Sequence, residues 1–306
     1  MSKNLFISTS CLKNKEYANN IPRMLEMFME NNIYNVEFSG VHKFTNNNLL
    51  INYVKKFKKK KMNFLLHNYF PPPKKEIVMN FLSHNKKRLK ESEKIIFNAV
   101  KISRKAGIDL YGFHPGYYRD GIIKRDGHFK LFKTKKMTFG KAIIEFDKNL
   151  ESMVRKINYD KNNDVFIAIE NLFPSKNGEV ESFMTNFSEL DQVFSLDNMK
   201  KNRIGMVLDL GHLQISAKHL GFSKYEFLNK VIEKYGDRIY EIHLSENDSI
   251  EDKHTRIKET SWQLKFLKKL KYVGSKKFKT KFTYESRKLS FDEIKKDREM
   301  ILDYLP

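Results

Sequence analysis

Residues 206–216 read MVLDLGHLQIS, and the interpretation of the whole chain starts from this stretch. An apolar run typical of a buried strand ends on the carboxylate of Asp209, and the imidazole of His212 follows three residues later. One interpretation is a helix N-cap followed by a surface histidine. The other is a metal site at the mouth of a barrel, because the parallel strands of a barrel all end at one face. How the other strands end decides between them.

Short strand-like runs alternate with longer amphipathic runs along the chain, which favours parallel βα units. Eight such units make a closed (β/α)8 TIM barrel of the α/β class the most economical fold. The predicted strands are residues 4–10, 35–40, 62–68, 107–114, 164–171, 203–210, 238–245 and 281–286. No shift in composition and no Pro/Gly/Ser-rich linker divides the chain, so residues 1–306 are predicted to form a single domain.

One segment exceeds the βα pattern. Residues 117–139 follow the fourth predicted strand and are polar, aromatic and basic. A loop of this length in a compact barrel is usually functional, for example a lid or a substrate-binding arm. A disordered insertion is the alternative.

Bulk composition restricts the class of protein. No apolar run is long enough to span a bilayer, so membrane insertion is not expected. The first residues enter a strand pattern without the features of a signal peptide, and the single cysteine, Cys11, fits a reducing cytoplasm. The net charge of +21 attracts phosphate groups, yet only 11 of the 58 basic residues are arginine. A nucleic-acid-binding surface and a lysine-rich compositional bias both remain open.

Six of the eight predicted strands end in His, Asp or Glu, and in a barrel these positions meet at one rim. The strand-end residues are His67, His114, Glu170, Asp209, His243 and Glu285, and nearby loops add His212, Asp252 and His254. So many imidazoles and carboxylates on one rim would repel or stay unpaired unless a cation compensated them. A nitrogen and oxygen donor set without thiolate suits Zn or Mn, and one to three divalent ions are expected.

The motifs LLHNYF, GFHPGYY, IAIEN, VLDLGH, EIHLSEND, EDKH and TYES, taken in this order, resemble the xylose isomerase-like TIM-barrel superfamily. This superfamily includes endonuclease IV and many sugar isomerases and epimerases. The resemblance covers essentially the whole chain, and it implies that the nine residues above form a metal cluster. Every position of the endonuclease IV ligand pattern has an acceptable residue here.

The resemblance to sugar isomerases implies one function, a metal-dependent isomerase or epimerase of a sugar or sugar phosphate. Glu170, Asp209, His243 and Glu285 would hold the metal. The two glutamates would also be catalytic, moving a proton alpha to a carbonyl through a metal-bound enediolate. The substrate would be a small carbohydrate, phosphorylated or nucleotide-linked, and relatives of this kind include proteins of surface-carbohydrate metabolism. Ketose 3-epimerases carry an arginine where Ser249 falls, which counts against a free ketose.

Five further side chains are candidates for substrate binding. Asn171 directly follows Glu170, and Tyr69 lies in the proline-rich turn after strand three. Lys253 and Arg256 flank the last two loop ligands and suit an anionic group, although surface charge explains them equally well. His128 lies in the insertion and can reach a substrate from there.

The alternative function is an endonuclease IV-like enzyme that cleaves DNA beside an abasic site, with three metal ions around the phosphate. The complete ligand set, the FHPG motif and the positive charge support it, and DNA is a partner only in this case. The loop SGVHKFTNNN lacks the aromatic and basic pattern of the nuclease's DNA-penetrating loop, and the insertion would occupy space that duplex DNA needs. A binding module that has lost catalysis is a third possibility, but the presence of both glutamates argues against it.

Overall fold

Eight parallel strands close into a barrel in the computed structural model, which describes residues 4–13, 19–40, 42–123, 129–159, 165–273 and 280–306. The barrel strands are β1 Leu5–Ser8, β2 Asn35–Phe38, β3 Asn63–His67, β4 Leu110–Phe113, β7 Phe166–Glu170, β8 Gly205–Asp209, β9 Ile239–Leu244 and β10 Lys281–Tyr284. They neighbour one another in chain order, and β10 pairs with β1 to close the barrel. The predicted (β/α)8 fold is confirmed, and each of the eight barrel strands lies within its predicted range. That residues 1–306 form one domain remains a prediction.

Helices follow the strands on the outside of the barrel. Their bounds are α1 Ile21–Glu30, α2 Asn47–Lys58, α3 Lys86–Ala106, α4 Phe139–Lys156, α5 Phe187–Ser195, α6 Asp197–Lys201, α7 Leu210–Leu220, α8 Lys224–Tyr235, α9 Trp262–Val273 and α10 Phe291–Tyr304. Side-chain caps start several of them: Thr138 accepts from the backbone of Lys141, and Ser290 forms a capping box with Glu293. Within the described ranges, none of the helices is long and apolar enough to cross a membrane.

The barrel interior is layered, because alternate residues of a strand point to the same side. Leu65, Ala168 and Val207 belong to a buried apolar cluster with Phe6 and Leu110. Two residues further along the same three strands come His67, Glu170 and Asp209. The strand period therefore places these polar side chains one layer above the apolar cluster, at the carboxyl-terminal end of the barrel.

The insertion after β4 contains an antiparallel hairpin, formed by β5 Gly121–Ile123 and β6 Phe129–Leu131. Its base is held by several contacts: Tyr117 pairs with Ser182 in an isolated bridge, and Arg119 forms a 2.6 Å ion pair with Glu181. Ile123 and Leu131 pack against a small apolar cluster of Val78, Tyr117 and Leu172. In the described part, residues 117–123 and 129–139, the insertion therefore packs against the segment that follows β7.

Candidate metal centre

All nine predicted ligands lie at the carboxyl-terminal end of the barrel. Eight of the nine supply three groupings in which one ligand atom of each residue lies within 4.8 Å of the others. The first triad is His67, His114 and Glu170; the second is Glu170, Asp209 and His243; the third is His212, Asp252 and His254. Glu285 adjoins the second triad, with its Oε2 2.9 Å from His243 Nδ1. Glu170 is shared by the first two triads.

Glu170 is the centre of the first triad and is 1% exposed. Its Oε2 lies 3.2 Å from His67 Nε2 and 3.3 Å from His114 Nε2, and its Oε1 lies 3.0 Å from His212 Nδ1. Burial alone would raise the pKa of Glu170, but the interactions of this carboxylate with His114, His67 and His212 outweigh burial and hold the pKa well below its usual range. The carboxylate is therefore ionised at neutral pH.

Asp209 has two roles at the start of α7. Its Oδ1 accepts a 2.6 Å hydrogen bond from the backbone N–H of His212, which caps the helix. Its Oδ2 is buried without a hydrogen-bond partner among the described residues and lies 3.9 Å from His243 Nδ1. Burial raises the pKa of Asp209 to about 6. The N-cap interpretation is thus compatible with the metal-site interpretation, whereas His212, at 3% exposure, is not a surface residue.

The third triad depends on the orientation of His212. Its Nδ1 lies 2.9 Å from the carbonyl oxygen of Asn171 and 3.0 Å from Glu170 Oε1. Because both neighbours are acceptors, Nδ1 carries a proton and Nε2 faces Asp252, whose Oδ2 is 3.9 Å away. Asp252 Oδ2 also lies 2.7 Å from His254 Nε2. Burial would lower the pKa of His212, but Asp209, Asp252 and Glu170 together raise it well above its usual value.

The chemistry of this cluster fits a divalent cation. Among the described residues, both oxygens of Glu170, Oδ2 of Asp209 and Oδ1 of Asp252 are buried without a hydrogen-bond partner. Buried anionic oxygens are costly unless they are paired or coordinate a metal. Imidazole nitrogens next to carboxylate oxygens suit Zn and Mn, and the geometry does not separate these two metals.

Two of the predicted substrate contacts are occupied within the protein. The side-chain amide of Asn171 donates to the carbonyl of Asp209 at 3.0 Å and accepts from the N–H of Asp209 at 2.8 Å, so it links the ends of β7 and β8. The hydroxyl of Tyr69 accepts a 2.9 Å hydrogen bond from the backbone of Met79. A substrate contact from either polar group would compete with these bonds.

The predicted cationic contacts are also paired elsewhere. Lys253 Nζ contacts Asp248, and Arg256 forms ion pairs with Glu293 and Asp297 on α10. A role in substrate binding would require these ion pairs to break, and it stays a prediction for both residues. The predicted contact from His128 falls outside the described residues.

The structure adds side chains that the sequence analysis did not single out. Arg287, two residues after Glu285, is half-exposed with Nη2 3.7 Å from Asp252 Oδ2, and the ring of Phe173 lies 4.5 Å from that of His212. Tyr117 lies beside the cluster, and its burial raises the pKa of its hydroxyl. The nearby Tyr69, Glu170 and Asp252 raise this pKa further. Tyr117 belongs to the GFHPGYY motif and Arg287 directly follows TYES, so proximity to those motifs is the signal that pointed to them.

Comparisons with known proteins agree with this architecture. A family model described as a xylose isomerase-like TIM barrel matches residues 26–293. A search of curated proteins found no match.

Three solved structures illustrate the similarity of fold. A D-tagatose 3-epimerase-like protein superposes with a TM-score of 0.69 at 19% identity, covering 98% of this chain and 96% of that one. The 3-keto-D-glucoside 4-epimerase of E. coli gives 0.64 at 10% identity, with 99% of each chain covered. Endonuclease IV from Thermus thermophilus gives 0.59 at 12% identity, covering 98% of this chain and 97% of that one. At these identities the likeness concerns the fold alone.

Proposed function

Because the chain belongs to the xylose isomerase-like TIM barrel family, we propose that it is a metal-dependent enzyme that isomerises or epimerises a small carbohydrate. The observation that carries the proposal is the meeting of Glu170, Asp209, His243 and Glu285 at one buried point. They stand at the ends of four consecutive barrel strands, β7 to β10. Active sites of barrel enzymes lie at this face.

The two glutamates have the placement that proton transfer requires. Glu170 ends β7 and Glu285 follows β10, so β8 with Asp209 and β9 with His243 lie between the two glutamates. Burial would raise the pKa of Glu285, but His243 outweighs it and lowers the pKa to about 2. Both carboxylates are therefore ionised, so either can accept the proton next to the substrate carbonyl, and the glutamate that has become protonated in this way then returns it. A divalent ion held by the four residues would supply the positive charge that polarises this carbonyl.

The surroundings of the cluster favour a small, anionic substrate. Ile123 and Leu131 of the β5–β6 hairpin pack against the apolar cluster of Val78, Tyr117 and Leu172, and Leu172 follows Glu170 by two residues. Arg287 presents a half-exposed guanidinium beside Asp252, where it can bind a phosphate group. The net charge of +21 favours the approach of such an anion.

Hydrogen exchange with solvent tests the proposed reaction. The metal-loaded protein is incubated in deuterated water with a panel of sugar phosphates and nucleotide sugars, and the products are analysed by NMR. We expect deuterium to enter the substrate at a carbon next to its carbonyl group. Glu285→Gln should abolish the exchange, whereas Asp292→Asn, which removes an exposed carboxylate (91% exposed side chain) on α10, should preserve it. No exchange with any member of the panel would count against an isomerase.

Completeness of the first and third triads favours a second candidate, an endonuclease IV-like phosphodiesterase. An isomerase needs only the four residues of the central site, yet His67, His114, His212, Asp252 and His254 form two further groupings. Three ions are the number expected for cleavage of DNA beside an abasic site. Nicking of an abasic duplex by the metal-loaded protein, without nicking of an intact duplex, would favour this candidate over the isomerase.

A further inference from the structure

Two glutamates lie inside the barrel, in the layer directly beneath the proposed metal ligands. Glu37 on β2 and Glu241 on β9 are both 0% exposed. Glu241 precedes His243 by two residues, so both side chains point inward from the same strand. The same layer contains the apolar side chains of Leu65, Ala168 and Val207. Carboxylates at this depth are costly, so they are expected to have a partner that needs them.

That partner is the lower nitrogen of His243. Its Nε2 lies 3.1 Å from Glu37 Oε2 and 3.4 Å from Glu241 Oε1, while its Nδ1 faces upward to Glu285 at 2.9 Å. The hydroxyl of Thr283 donates to Glu241 Oε1 and orients that carboxylate. Both oxygens of Glu37 and the Nε2 of His243 are buried and form no hydrogen bond in the described part of the chain, so their 3.1 Å contact is an ion-pair contact.

We propose that Glu37 and Glu241 are positioning residues that accept the Nε2–H of His243 and thereby aim its Nδ1 at the metal. This inference rests on the proposed metal site but not on the reaction. A carboxylate behind a metal-bound histidine fixes the tautomer and the ring orientation, and it makes the imidazole a stronger ligand. Glu37 and Glu241 reach the same nitrogen from different strands, so they hold the ring from two directions.

Glu37 also forms a fourth grouping with ligand geometry, together with His67 and His243. A cation at that point is the competing explanation. However, His67 Nε2 already faces Glu170 and His243 Nδ1 already faces Glu285, so a further ion would have to use the second nitrogen of each ring. A neutral imidazole has one nitrogen that can bind a cation, and its other nitrogen carries a proton. A second ion would therefore require the loss of that proton, whereas a carboxylate behind the ring accepts a hydrogen bond from the N–H. The positioning role therefore requires less unusual chemistry.

Metal-binding titrations test this role without any substrate. Metal-free wild type, Glu37→Gln, Glu241→Gln and the double variant are titrated with Zn²⁺ and Mn²⁺ in competition with a chromophoric chelator. Glu93→Gln is the matched control, because Glu93 is a similarly buried glutamate on α3 whose partner is Lys156 at 2.8 Å. We expect each single variant to weaken one bound ion about 10-fold to 100-fold at unchanged stoichiometry. The control should bind like wild type.

Thermal unfolding of the metal-free and metal-loaded proteins is the second readout. The stabilisation that saturating metal gives should be smaller for Glu37→Gln than for wild type, because the variant binds the ion more weakly. If Glu37→Gln does not fold, Glu241→Gln provides the same test from the other strand.

Three results would contradict parts of the account in distinguishable ways. Unchanged affinity in the double variant would overturn the positioning role. Loss of one whole equivalent of metal in Glu37→Gln would show that Glu37 is itself a ligand of an inner ion. Absence of divalent metal binding by the wild type would instead overturn the proposed metal site.

Discussion

Replacement of Asn171 by alanine tests whether this residue is a structural clamp. Asn171 directly follows Glu170, which made it a candidate substrate contact, but its amide is bonded at both ends to the backbone of Asp209. Because these bonds join the ends of β7 and β8, they hold two ligands of the proposed metal at a fixed separation. The clamp predicts a loss of folding stability, whereas a substrate contact predicts a change in KM alone.

The size of the loss follows from the two bonds. Asn171 is 2% exposed and Asp209 is 0% exposed, so water cannot replace the missing amide without rearrangement. Each bond contributes about 1 kcal/mol net, and each buried group left without a partner costs about 1–3 kcal/mol. We therefore expect Asn171→Ala to lower the free energy of unfolding by about 2–4 kcal/mol.

Urea unfolding of the metal-free protein measures this effect in isolation. The control is Asn198→Ala, which removes a single 2.9 Å hydrogen bond to Asp147 on the outside of the barrel and should cost about 1 kcal/mol or less. Asn171→Ala should also weaken metal binding, because Asp209 loses its support. Equal stability of the two variants, with a higher KM for Asn171→Ala, would refute the clamp.

Four further predictions concern the cluster itself. Glu285→Gln should abolish turnover while circular dichroism shows an intact fold; retained turnover would refute its role in proton transfer. Asp252→Asn should spare the central ion, since Asp252 belongs to the third triad, and elemental analysis showing complete loss of metal would contradict separate triads. Metal affinity should fall from pH 8 to pH 6, because the pKa values of His212 and His243 are raised and the ion must displace the protons that these two imidazoles hold. Calorimetry in two buffers of different ionisation enthalpy should detect the released protons. Arg287→Gln should raise KM for a phosphorylated substrate more than it lowers kcat, and an unchanged KM would exclude phosphate binding there.

The fold and the cluster could be predicted from the sequence because both follow from strand periodicity. Polar residues at the ends of apolar strands have one common location in a barrel, so Asp209 and His243 could be brought together without coordinates. His212 was predictable for the same reason, since it follows Asp209 by less than one helical turn.

Contacts between distant loops could not be predicted in this way. Arg256 follows the predicted ligand His254 by two residues, but its guanidinium pairs with Asp297, 41 residues later on α10. Glu37 looks like an outward-facing charge in the run NVEFSG, and only the closed barrel shows that it points inward to His243. Both cases depend on tertiary packing, which local pattern does not encode.

Elemental analysis of the purified protein, dialysed after loading with Zn²⁺ or Mn²⁺, measures how many ions the proposed metal centre holds. We expect at least one tightly bound divalent ion per chain, and we expect loss of the central ion when Asp209 and His243 are replaced together by Asn and Gln. About one equivalent would favour the isomerase, and about three would favour the phosphodiesterase. A wild-type protein that retains no divalent metal would contradict the account.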